Sequence, residues 1–263
     1  MASQESSSPP RPRLVVQIGV TGHRPNRLTP EVAVGLPGQC EQVLKAVADL
    51  ASHARDPLLH SPERPLLRIL SPLAEGADRI VAHAGLALDA DLQCPLPFLA
   101  AEYCHDFEDA ASRDEFHDLL AKATAVFQIE GSRAREEESY ERVGRMVVEQ
   151  SDLLIAIWDG EPAAGRGGTT QVVEEALAKH VPVLWLHASE PKAPCILVAD
   201  ESGKRQQRSF DELKSIFGGR FSQSGDSDKG FNFSHAYFAE KQPKLDPGRI
   251  FRIFRDLVAR GRL

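Results

Sequence analysis

Leu153-Leu154-Ile155-Ala156-Ile157-Trp158 runs into Asp159-Gly160, and shortly afterwards Gly165-Arg166-Gly167-Gly168-Thr169-Thr170 opens onto Gln171-Val172-Val173-Glu174-Glu175-Ala176-Leu177-Ala178. The order is an apolar run, a glycine-rich loop and a segment of helical character. A continuous apolar run bounded by turn residues predicts a strand buried on both faces, as in a parallel sheet. The helix start that follows offers free N–H groups and the positive end of the helix dipole, which favour an anion, above all a phosphate. Glycines let a ligand approach the backbone because no Cβ intervenes.

The same unit recurs on either side of this stretch. Leu14 to Val20 is apolar and β-branched and ends at Thr21-Gly22-His23-Arg24-Pro25. Helical periodicity follows at Val43, Val47 and Leu50, and Pro37-Gly38 places the firm helix start near Gln39. Leu66 to Leu70 is a second strand, ending at Ser71-Pro72-Leu73-Ala74-Glu75-Gly76-Ala77-Asp78-Arg79 before a helix carrying Ile80, Val81, Ala84 and Leu88. Further strands are read at 91–99, 123–129, 153–158 and 181–186. Helices are read at 113–121, 140–150 and from 169 to about 180. Residues 100–109 and 133–139 read as loops. Strands alternating with helices predict an α/β fold: a Rossmann-like, doubly wound, mainly parallel sheet in three layers.

Beyond His187 the pattern loosens into an irregular C-terminal extension. It holds a short edge strand at 195–198, a short helix at 210–217 and a terminal amphipathic helix over 249–260. Arginines at 249, 252, 255, 260 and 262 surround that helix's apolar stripe. The organisation is thus a disordered Ser/Pro-rich lead-in (1–13), a Rossmann-like domain (14–187) and the extension (188–263). The terminal helix is a candidate surface for homo-oligomer formation or an effector partner.

Composition narrows the function classes. The net charge of −7 argues against nucleic acid as a partner. The cysteines, Cys40, Cys94, Cys104 and Cys195, form no C-x-x-C pair or zinc-spaced cluster, so a reduced, cytoplasmic location and no metal are expected. No run approaches the roughly 20 apolar residues of a membrane span. Gly19 and Gly22 give G-x-x-G rather than G-x-G-x-x-G, and no Gly-Lys-Ser/Thr ending is present. Neither nicotinamide nor Walker-type chemistry is therefore indicated, and no cofactor is expected.

Ligands of open α/β sheets bind beyond the carboxyl ends of the strands, at the switch in strand order. Three loops compete for that place, and if the first and fifth strands are neighbours they line one crevice. The candidate nucleotide-binding residues are Thr21, Gly22, His23 and Arg24 from the first loop and Ser71, Glu75, Gly76 and Asp78 from the second. Asp159, Gly160, Gly167, Gly168, Thr169 and Thr170 come from the third. Arg24 offers a fixed cation with fork geometry for a phosphate or carboxylate. Glu75 and Asp159 are the candidate catalytic carboxylates.

These three motifs, in this order over residues 14–187, resemble the SLOG superfamily, the Rossmann-like group that includes DprA-type, lonely-guy-type and TRPM-associated domains. The resemblance implies a site for a nucleotide or nucleotide-derived ligand such as an ADP-ribose-like molecule. Some relatives sense such ligands in stress or antiviral signalling, and others cleave N-glycosidic bonds. The cleaving relatives carry a catalytic glutamate three residues after the loop threonine, where this chain has Val172. Glu174 lies two positions further, about 200° around a helix. The departure favours binding or sensing over nucleotide N-glycosidase or deoxyribosyltransferase activity. An interaction protein with a vestigial pocket is the third reading.

Overall fold

The computed structural model describes residues 10–107, 109–162 and 168–221, without the side chains of 218–221. Gly165 to Gly167 and the helix read at 249–260 lie outside the described residues. Their elements run β1 (Val15–Gly22), α1 (Pro30–Ala54), β2 (Leu66–Leu70), α2 (Ala77–Leu86), β3 (Asp91–Leu96), α3 (Ala100–Tyr103), α4 (Ala110–Lys122) and β4 (Ala125–Gln128). Then come α5 (Glu136–Glu149), β5 (Leu153–Trp158), α6 (Thr169–Ala178), β6 (Val183–His187), β7 (Cys195–Ala199), β8 (Arg205–Ser209) and α7 (Leu213–Phe221).

The strands form one sheet in the order β4-β3-β2-β1-β5-β6-β7-β8. The chain steps outward from β1 to β4, then returns to lay β5 against the free side of β1, with Ile18 opposite Leu153 and Gly22 opposite Ile157. The first six strands are parallel. The β1–β5 junction is therefore the switch point, and the ends of both strands open at the same place.

Alternation along β5 shows why helices cover both faces. Leu153, Ile155 and Ile157 join the core beneath α1 and α2, while Leu154, Ala156 and Trp158 join a second core with Val143 and Val147 of α5 and Val172 and Val173 of α6. The fold is the three-layer, doubly wound α/β architecture expected.

The structure corrects several local expectations. Helix α1 begins at Pro30 and passes through Pro37. A proline in a helix interior costs ~3 kcal/mol, but Val32 and Leu36 are fully or nearly fully buried on the same face as Cys40. Each such side chain contributes ~1.5–3 kcal/mol, which offsets the proline, and Pro37 itself faces solvent. The segments read as loops at 100–109 and 133–139 hold α3 and the start of α5.

The extension is less irregular than expected. Strand β7 pairs antiparallel with β6, and the polar β8 closes the edge beyond it. The compact unit thus reaches Phe221, past the boundary drawn at 187. At the other end, residues 10–13 lie along the loop before β2, with the Pro12 carbonyl accepting the Ser61 N–H at 2.8 Å.

Candidate functional site

The backbone of His23 joins all three strand ends. Its N–H donates to the Ile157 carbonyl of β5 at 2.9 Å, and its carbonyl accepts the Ala77 N–H of α2 at 3.1 Å. Two glycines make this approach possible. A Cβ on Gly22 would stand 2.3 Å from Ala77 Cβ, and one on Gly76 would stand 2.6 Å from the His23 carbonyl oxygen. Gly76 also has φ of 87°, a left-handed conformation that favours glycine.

A crevice of about 460 Å³ opens over this joint. Thr21, Gly22, His23 and Arg24 line it from the first loop, Asp78 from the second, and Gly168 and Thr169 from the third. Ser71, Glu75, Gly76, Asp159, Gly160 and Thr170 do not line it. Ser71 closes the second loop instead, its hydroxyl donating to the Asp78 carbonyl and accepting the Leu73 N–H. The Thr170 hydroxyl donates to the Glu161 carbonyl.

The remaining wall is absent from the residues chosen by sequence. Tyr140, Val143, Gly144 and Val147 of α5, Tyr103 of α3, and Arg27 all face the crevice. The start of α5 is anchored on α3. Arg133 donates to Glu102 at 2.7 Å and to Asp106 at 2.5 Å, and the Tyr140 hydroxyl donates to Asp106. No sequence signal marks these residues, because an inward helix face reads as core. A broader hollow of about 570 Å³ lies across the β7–β8 edge. None of the fold's buried polar side chains reaches it, whereas Thr21, His23 and Asp78 are buried and line the crevice.

The electrostatics differ from end to end. Asp159 lies 2.9 Å from His23 Nε2 and 2.5 Å from Arg27. Burial pushes its carboxyl up, but the His23 hydrogen bond, the Glu161 amide and the charges of His23 and Arg27 outweigh it, leaving it below the usual range. Asp78 takes the opposite course. Burial pushes it from 3.8 to about 7, against the lowering influence of the Ala74 N–H, Arg24 and Arg79. Glu75 accepts from the Ser112 hydroxyl and stands 3.7 Å from Arg24. Among the described residues no His, Cys, Asp and Glu gather to hold a metal ion, and no helix is long and apolar enough to cross a membrane. All four cysteines are free thiols.

No protein-family model and no curated protein matches this chain. Solved structures similar to it include DNA processing protein A from Streptococcus pneumoniae, with 14% identity and a TM-score of 0.41 over 66% of this chain and 50% of that one. DNA processing protein A from Helicobacter pylori, described for its single-stranded DNA binding mode, has 14% identity and a TM-score of 0.40 over 65% and 64%. TM1055 has 13% identity and a TM-score of 0.37 over 64% and 72%. The chain thus spans half the length of the pneumococcal protein. Two of the three are DprA, a type that the motif resemblance names. At these values the likeness assigns this chain neither a ligand nor a chemistry.

The expectation that nucleic acid is no partner is withdrawn. Structures similar to this chain include one described for binding single-stranded DNA. The whole-chain charge of −7 is also a poor guide, since it averages over a surface on which Arg24 and Arg27 stand together at the crevice.

Proposed function

We propose that the crevice binds a nucleotide or nucleotide-derived ligand, with its phosphate at the mouth and its base against the apolar wall. The carrying observation is that one cavity joins two chemistries. Arg24 and Arg27, with side chains 42% and 44% exposed, stand at its mouth beside the N-terminus of α6. Val20, Val143, Val147 and Val172 form an apolar wall. The volume falls within the roughly 300–1,000 Å³ of small-molecule sites. Val172 faces the crevice at the position where cleaving relatives of the resembled superfamily carry glutamate, which supports holding or sensing a ligand. Four free thiols suit a reducing, cytoplasmic setting.

Titration calorimetry with nucleotides, ADP-ribose and the matching nucleosides tests this. Arg24→Ala is expected to weaken phosphate-bearing ligands by ~10-fold or more, the scale of one charge-assisted hydrogen bond, and nucleosides little. Equal losses for both would remove phosphate recognition from Arg24. A folded protein that binds none of the panel would overturn the reading.

A further inference from the structure

Trp158 is the last residue of β5 and is 1% exposed, yet its indole Nε1–H has no hydrogen-bond partner among the described residues. A buried indole N–H ordinarily finds an acceptor. The neighbouring Trp185 does so, donating its own Nε1–H to the Trp158 carbonyl at 2.8 Å. Trp158 also lines a cavity of about 330 Å³, and among the described residues none lines both this cavity and the crevice. Helix α6 stands between them. Val172 faces the crevice, and Glu174, two positions on and about 200° around the helix, faces the second cavity.

This cavity carries both signs of charge beside an apolar surface. Pro162, Leu177 and Ala178 supply the apolar part. Arg205, the first residue of β8, is delivered by the turn through Gly203, whose φ of 78° is left-handed. Its guanidinium stands 5.4 Å over the Trp158 ring, so the cation and the unpartnered N–H belong to one contact. Glu161 and Glu174 bring carboxylates to the same cavity. Among the described residues these two and Arg205 form no ion pair.

We propose that this cavity is a second ligand site and takes a free α-amino acid. The ligand carboxylate accepts from the Trp158 N–H with one oxygen and from Arg205 with the other, a charge-assisted pairing suited to a guanidinium. The ammonium faces Glu174 and Glu161, and the ligand side chain lies against Leu177 and Pro162. A neutral occupant would satisfy the indole and leave the charges unused, and a phosphate would meet two carboxylates. A small molecule carrying both signs matches the whole lining. The volume lies at the lower end of the roughly 300–1,000 Å³ of small-molecule sites.

The test is titration calorimetry on the whole protein with each of the common α-amino acids, then with the carboxamide and N-acetyl forms of any that bind. At least one amino acid is expected to bind, at a single site per chain. Its carboxamide lacks the anion and its N-acetyl form lacks the cation. Each is expected to bind ~10-fold more weakly or worse, the scale of a charge-assisted hydrogen bond. Trp158→Phe keeps an aromatic ring and deletes the N–H, and Arg205→Gln deletes the cation at an exposed position. Both are expected to weaken the amino acid by ~10-fold or more, whereas Arg24→Ala at the crevice leaves its affinity unchanged. Melting temperatures show which variants are folded, and Arg205→Gln decides the matter if Trp158→Phe is not. The proposal is overturned if no amino acid binds the folded protein, or if either derivative binds as well as its parent. Undiminished affinity in Arg205→Gln or in folded Trp158→Phe overturns it equally. Each of these results leaves the nucleotide reading of the crevice standing.

Discussion

Asp78 and Asp159 are the same residue type at the same end of the sheet, one following β2 and the other β5, on either side of β1. Their surroundings drive them apart. Asp159 sits between His23 and Arg27 and is held as a carboxylate. Asp78 is sealed at 5% exposure behind the second loop and is pushed to about 7. The difference teaches that charge in this crevice is set by what each loop delivers to an oxygen, since both positions hold aspartate. One end is a fixed ion cluster; the other changes charge within the physiological range.

The largest test of this contrast is stability against pH in Asp78→Asn. A folded-state value raised above 3.8 favours the protonated form, so the stability it contributes is fully present below pH 3.8 and is lost as pH rises through about 7. The penalty of the ionised form at pH 8 is at most ~4 kcal/mol. Asp78→Asn is therefore expected to melt higher than the native protein at pH 8, with the gap closing toward pH 4. Equal melting curves at pH 8 would place Asp78 in a polar setting and erase the contrast.

Asp159→Asn is expected to have the opposite sign and a smaller size. It keeps an acceptor for the Glu161 N–H, which Asp159 Oδ1 now holds at 3.0 Å, but it loses the charge shared with His23 and Arg27. A loss of ~1–2 kcal/mol at pH 7 follows, the scale of hydrogen bonds to a charged group. Because the folded value is depressed, this contribution is present above the ordinary aspartate range and disappears as pH falls through the folded value. The variant and native curves should converge in acid, and a constant gap at every pH would assign the effect to packing.

Tyr103→Phe sharpens the contrast from the other side and has the smallest effect. It deletes a hydroxyl without a protein partner among the described residues, so stability should change by no more than ~0.5 kcal/mol, while nucleotide affinity falls measurably by calorimetry. A larger loss of stability would mean that the hydroxyl serves the fold.

Much of this arrangement is legible in sequence, for identifiable reasons. The strands at 14–20, 66–70 and 153–158 are continuous apolar runs because both faces are covered, and their glycine-rich ends mark the crevice. Pro37-Gly38 misleads, because local propensity does not show that Val32, Leu36 and Cys40 share a buried helical face. Strand β8, Arg205-Gln206-Gln207-Arg208-Ser209, lacks apolar alternation because it is a largely exposed edge strand held through its backbone to β7. The α5 wall is hidden for the reverse reason: Val143 and Val147 meet both the core and the cavity, and one pattern serves both. Nothing in Glu75, Asp78 and Asp159 as letters shows which carboxylate faces the cavity without a salt bridge among the described residues, since that depends on Ser112, His23 and Arg27 arriving from elsewhere in the chain.

The meeting of Gly22, His23, Gly76 and Ala77 has a practical consequence for anyone redesigning this crevice. Segments some fifty residues apart in the chain share a contact in which the smallest side chains already leave no space. They form a single keystone, and a library that diversifies those four positions would spend most of its members on chains that cannot close the sheet's mouth. Tyr140, Val143, Gly144 and Val147 belong to one helix and stand clear of that joint, so new ligand preferences are best sought there.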